Sequence, residues 1–198
     1  VTVACNATLT IQPGVEVRFD PGVGIVVGSP TDGPGTLIAR GTSASKILFT
    51  SNGLQLPGQW AGIRFTDFAV DAAFSGDTYV SGSILEHAIV EYTGALAAIM
   101  VDGSAPYLVG SEIRHTAHPS TGPTVGGVGI SVNGTSAPGI RIEDCEVWDA
   151  YASWAGGPPG GRGGGIYVVG GSGHRVIGNY VHNCFAQSAG GGMEIAAP

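Results

Sequence analysis

The chain is 198 residues long, with 35 glycines, 12% charged residues and a formal net charge of −7. So much glycine with so little charge argues against long solvated helices and for many tight turns. Eight basic residues against fifteen acidic ones disfavour nucleic acid as a partner, and no run of about 18 uninterrupted apolar residues suggests a membrane span.

The first 36 residues are the least regular. From there one short pattern recurs: TLIARG at 36–41, GIRFTD at 62–67, AIMVDG at 98–103, GISVNG at 129–134, GIYVVG at 165–170 and GMEIA at 192–196. Alternation turns Leu37/Ala39, Ile63/Phe65, Ile99/Val101, Ile130/Val132, Ile166/Val168 and Met193/Ile195 inward. Between them Ile38, Arg64, Met100, Ser131, Tyr167 and Glu194 face out. Period two in such brief runs means strand.

A second motif reads LEHAIV at 85–90, LVGSEI at 108–113, IEDCEV at 142–147 and VIGNYV at 176–181, at intervals of 23, 34 and 34 residues. Its inward columns are Leu85/Leu108/Ile142/Val176 and Val90/Ile113/Val147/Val181, with the smaller Ala88, Ser111, Cys145 and Asn179 between them. Strand, turn, strand, turn without helical patterning predicts one all-β domain over 1–198, a parallel β-helix of about six to seven coils whose stacking buries a continuous core. A β-sandwich accounts for short strands between turns, but not for the same columns returning in the same order.

VTVACNATLTIQPGVEVRFD, followed by GTLIARGTSASKILFTSN and PGQWAGIRF, resembles the opening coils of secreted bacterial right-handed parallel β-helix proteins. The later GGGI and I-x-N-C-x-I-like units are similar to repeats of the pectate-lyase-like superfamily. The resemblance implies a right-handed solenoid and an extracellular or cell-surface location. It specifies a fold more than an activity, because the superfamily holds polysaccharide lyases and hydrolases beside adhesive proteins with no catalytic centre.

The glycine-rich stretch GGPPGGRGGG at 156–165 lacks the GxGxxG spacing of a dinucleotide site and precedes a strand, so its glycines read as turns. Arg162 at that loop tip is a candidate for touching an anion. Aligning the repeats places Glu91, Arg114, Trp148 and His182 in one outward column, and Tyr92, His115, Asp149 and Asn183 in its neighbour. Coils about 4.8 Å apart would make these a strip. A glycan could stack on Trp148 and bond to Arg114 and Asp149, so Glu91, Arg114, Trp148 and His182 are the candidate binding residues.

Catalysis on the same strip would cast Arg114 against a uronate carboxylate with His115 or Tyr92 as base. Glycoside hydrolysis would instead use Glu91 and Asp149 as the two carboxylates. Neither the acidic cluster of calcium-dependent pectate lyases nor the aspartate group of polygalacturonase-like hydrolases is recognisable. No catalysis is therefore expected, and the alternative is a polysaccharide lyase or hydrolase using Tyr92, Arg114, His115 and Asp149.

The remaining candidates are weaker. Asp67, Asp71 and Asp77 read as solvated loop carboxylates and not as a Ca²⁺ site. His118 and His174 fall in predicted loops, and NAT at 6–8 and NGT at 133–135 match the glycosylation sequon. Cys145 belongs to the small inward column and does not face Cys184, so no disulfide joins them; Cys5 lies near the N-terminal edge. No metal or cofactor is expected. MEIAAP starts a coil with no cap after it, as expected of a piece of a longer protein or of an end covered by a neighbouring chain, even in a fibre; the expected partners are further copies, through that end, or surface glycans, through the strip.

Overall fold

The computed structural model describes residues 1–94, 97–120, 128–134, 139–154, 162–187 and 190–196, the side chains of 119–120 and 153–154 excepted. Among them there is no helix, hence none long and apolar enough to cross a membrane.

Three parallel sheets are built by strands taken in rotation along the chain. The first holds β1 (Thr2–Val3), β4 (Ile25–Val27), β7 (Ile63–Phe65), β12 (Ile99–Asp102), β15 (Ile130–Asn133), β18 (Ile166–Val169) and β22 (Met193–Ala196). The second holds β2 (Ala7–Ile11), β5 (Gly35–Arg40), β10 (Ile84–Glu86), β13 (Tyr107–Val109), β16 (Arg141–Glu143) and β19 (Arg175–Ile177). The third holds β3 (Glu16–Phe19), β6 (Ile47–Ser51), β11 (Ala88–Glu91), β14 (Glu112–Ser120), β17 (Glu146–Trp154) and β20 (Tyr180–His182), with the short β21 (Phe185–Ala186) pairing β17 further along. The chain is a parallel β-solenoid, each coil placing one strand in each sheet.

The registers match the repeat columns. Leu85, Leu108, Ile142 and Val176 are direct partners in the second sheet. Val90, Ile113, Val147 and Val181 are partners in the third, and Ile63, Ile99, Ile130, Ile166 and Met193 in the first. Leu37, Phe49, Phe65, Leu108 and Ile130 are fully buried in the axial core, which at about 25 cal/mol per Å² of apolar surface is the main source of stability. Trp60 is buried in the same core, stacked on Phe19 with ring centroids 4.2 Å apart.

Two expectations are corrected here. TLIARG does not belong with the first motif: Ala39 pairs Leu85, so β5 lies in the second sheet. The place in the first sheet is taken by β4 within GIVVG at 24–28, with Ile25 opposite Ile63 and Val27 opposite Phe65. Apolar alternation is the same on every side of a coil, so it reports inside against outside but not which sheet. His118 lies in the nine-residue β14 and not in a loop.

The bend from second to third sheet explains the column of small residues. His87, Gly110, Asp144 and Gly178 each sit at positive φ, between 47° and 69°, and the small residue follows. Ser111 takes the amide of Ala88 on its hydroxyl at 3.1 Å. Asn179 accepts the Cys145 amide at 2.9 Å and donates to the Ile142 carbonyl at 2.8 Å. These side chains satisfy amides and carbonyls that the bend takes out of the ladder. None of the three cysteines is in a disulfide, and burial pushes the Cys145 thiol up to about 12.

The insertion after β7 is an antiparallel hairpin, β8 (Ala73–Ser75) and β9 (Thr78–Ser81), folded over the outer face of the second sheet. Phe74 and Tyr79 pack on Tyr107, and the Arg141 guanidinium lies 3.7 Å from the Phe74 ring centroid. Its aspartates are not all plainly solvated: Asp71 accepts the Ala105 amide at 2.7 Å, and Asp77 pairs with arginines.

Candidate functional site

The candidate strip lies where the third sheet bends. Tyr92, His115, Asp149 and Asn183 all sit at positive φ, from 49° to 63°, so the neighbouring column is a column of left-handed bend residues. Immediately before it, Glu91, Arg114, Trp148 and His182 are direct partners on successive strands. The two columns therefore lie side by side as the repeats imply.

Their chemistry differs from expectation at the first position. Glu91 does not face solvent: its side chain is 7% exposed. The Thr50 hydroxyl donates to one of its oxygens at 2.8 Å, and Nε and Nη2 of Arg114 reach the other at 2.8 Å each. Arg114 lies over it and Thr50 beside it, so the carboxylate is closed in by its own partners.

Arg114 spends its third nitrogen on Glu112, with Nη1 to Oε1 at 2.8 Å. Burial disfavours the charged guanidinium, but Glu91 and Glu112 more than offset it and leave its pKa raised. Glu112 is the hub that repeat alignment missed. It accepts from Arg114, from Trp148 Nε1 at 3.1 Å and from Lys46 at 3.4 Å. Burial raises its pKa, yet Arg114, the indole hydrogen bond and Lys46 together hold it below the usual carboxylate value. The available signal was its place two residues before Arg114, on the same side of one strand.

Above the ion pairs the aromatic rings form a ladder. Tyr92 stacks on His115 with centroids 5.6 Å apart and planes 10° apart. His115 meets Trp148 edge to face at 4.4 Å. Trp148 stacks on His182 at 5.9 Å and 7°, and His182 on Tyr180 at 4.4 Å. The Arg114 guanidinium carbon lies over the Trp148 ring at 5.9 Å, so the indole has Arg114 one coil below and His182 one coil above. A sugar stacking on this tryptophan would have to displace one of them.

The two histidines are each oriented by a carboxylate. His115 Nδ1 lies 3.3 Å from Asp149, and His182 Nε2 lies 3.1 Å from Glu146. His115–Asp149 beside Tyr92 and His182–Glu146 beside Trp148 each set a base against an orienting acid. Glu91 and Asp149, the two carboxylates a hydrolase would need, stand apart in role, one locked by Arg114 and the other paired with His115.

Neither known protein families nor curated proteins match this chain. The other sequence candidates fall as follows. Arg162 is exposed and pairs with Glu194 at 3.3 Å. Most of the glycine-rich run, 156–161, lies outside the described residues, as does Thr135 of the second sequon. Asp67, Asp71 and Asp77 are not brought together: among the described residues no group of three or more His, Cys, Asp or Glu could hold a metal.

Proposed function

We propose that this chain is a structural β-solenoid of the extracellular or cell-surface space. It is a rigid scaffold acting by contact, with glycans along its flank or with further β-coils at its end faces, and not by catalysis. The observation that carries this reading is the engagement of Arg114, whose three guanidinium nitrogens are spent on Glu91 and Glu112 at 2.8 Å. A uronate lyase needs such a cation turned toward the substrate carboxylate. Here the cation braces strands β11 and β14 against each other, and the rings above it continue the bracing from coil to coil.

The extracellular placement is supported by the likeness of the opening coils to secreted β-helix proteins. Contact at an end face is supported by Met193 and Ile195, partners of the buried Ile166 and Val168, which are exposed on the last described coil, where three parallel sheets present unpaired edges. A following coil, from the same protein or a second copy, would cover them.

The test is incubation of the purified chain with a panel of uronate and neutral polysaccharides, following release of reducing or unsaturated ends. No turnover is expected. Turnover that Arg114→Ala abolishes while the fold survives would overturn the reading in favour of a polysaccharide-degrading enzyme. Negative-stain electron microscopy across a concentration series separates the two modes of contact. Ordered fibres assign the end faces to other copies; dispersed particles with glycan retention in affinity electrophoresis assign the flank.

A further inference from the structure

The hairpin β8–β9 does more than cover the second sheet. Its turn carries Asp77, whose carboxylate is 82% exposed and yet points back at two arginines. One oxygen of Asp77 lies 3.4 Å from Nη1 of Arg141 and 3.4 Å from Nη1 of Arg175. These arginines are direct partners on β16 and β19, so parallel pairing alone sets their guanidiniums one coil apart on the same side. Beside them, between hairpin and sheet, is a cleft of about 500 Å³, within the range of small-ligand sites.

The fork is preorganised. The guanidinium carbon of Arg141, whose side chain is 17% exposed, lies over the Phe74 ring at 3.7 Å, and Arg175 is held by Glu143 through Nε at 3.0 Å. Gly76, Gly139 and Gly173 line the same cleft and put no side chain into it. The bonds to Asp77, by contrast, are long beside the 2.6–2.8 Å pairs of Arg40, Arg64 and Arg114. A carboxylate this exposed is worth little to the fold and is cheap to displace.

We infer that the Arg141–Arg175 fork is the oxyanion-binding end of this cleft, bridged from outside by Asp77 of the same chain, and that it accepts an external sulfate or carboxylate group in the place of Asp77. For a carboxylate or a sulfate ester the exchange is neutral in charge, and for inorganic sulfate it adds one negative charge: Asp77 swings out to solvent as the incoming anion arrives. The two other carboxylates at the cleft are already engaged, Glu143 by Arg175 and the Tyr107 hydroxyl, and Asp71 by the Ala105 amide. With Asp77 withdrawn, the two arginines balance them. The cleft lies on the second sheet and the ring ladder on the third, so failure here leaves the structural reading standing.

The test uses the intact chain at constant ionic strength set with chloride. Inorganic sulfate and sodium glucuronate are titrated separately into the wild type, Asp77→Asn, and Asp77→Asn combined with Arg141→Gln or with Arg175→Gln. Calorimetry reads affinity, and near-ultraviolet circular dichroism of Phe74, Tyr79 and Tyr107 checks that the hairpin stays seated. Because a tethered carboxylate competes at about millimolar effective concentration, Asp77→Asn is expected to bind at least one anion about tenfold more tightly than wild type. Each added arginine substitution is expected to remove that gain. Glucuronate binding alone identifies a planar carboxylate as the ligand group, and sulfate binding alone a sulfate ester. No gain in Asp77→Asn with the hairpin seated, or a gain that survives both arginine substitutions, overturns the inference.

Discussion

His115 shows how one residue serves two demands. Its φ of 49° bends the chain within β14, and its ring lies between Tyr92 and Trp148 while pairing with Asp149. A left-handed conformation costs a non-glycine residue about 1–2 kcal/mol, more when it is β-branched. His115→Val is therefore expected to unfold at a lower urea midpoint than His115→Gly, by about 1–2 kcal/mol, although both lose the ring. Glu91 makes a sharper case. Glu91→Ala leaves Arg114 with Glu112 alone and the Thr50 hydroxyl without its acceptor, a loss of about 3 kcal/mol, whereas Glu91→Gln retains the Thr50 bond and costs less. Glu112 adds a dependence on pH. Its folded pKa is depressed, so its contribution is present above the ordinary carboxylate value and is lost as pH falls through the folded one. Urea midpoints measured from pH 7 down to 3 should fall more steeply in wild type than in Glu112→Gln.

At the scale of elements, the hairpin β8–β9 is the most separable part, attached through aromatic packing and a tight return at Gly82. There φ is 93°, and a Cβ would stand 1.9 Å from the Asp71 carbonyl oxygen. Gly82→Ala must move the chain, and it is expected to unseat the hairpin without unfolding the coils. Tyr107 reports this. Burial, reinforced by its hydrogen bond to Glu143, pushes its phenol up to about 12. With the hairpin gone, spectrophotometric titration should bring it back toward the ordinary value of about 10. The insertion was legible in the sequence, since TDFAVDAAFSGD interrupts the repeat. Its place over Tyr107 was not, because nothing in a hairpin's own alternation says which neighbouring face it will cover.

For the whole molecule, stability is a sum over coils and the interfaces between neighbours. Ile130 is fully buried between coils, while Ile195 is 55% exposed on the last described coil. Ile130→Ala should cost about 2–5 kcal/mol, and Ile195→Ala under about 1 kcal/mol, in the same denaturant series. If end-face contact with other copies forms fibres, Ile195→Asp should abolish them and leave the isolated chain folded, a difference that electron microscopy reads directly.

The columns of the coil were determined by the sequence itself. Alternation in GIRFTD, AIMVDG, GISVNG and GIYVVG, and the return of LEHAIV as LVGSEI, IEDCEV and VIGNYV, were enough to place partners opposite one another. They were enough because parallel stacking brings equivalent positions into register. The same logic put Glu91, Arg114, Trp148 and His182 in one line. Only the tertiary structure decided that TLIARG belongs to the second sheet, since every side of a coil shares one inward period and loop length sets the corner. Only it decided that Glu91 is buried and that the faces of Trp148 have Arg114 and His182 against them. Long side chains reach across coils to partners that their own strand does not name. Asp77 and Arg141 meet across 64 residues for the same reason: a hairpin outside the repeat is positioned by packing, and the repeat carries no record of it.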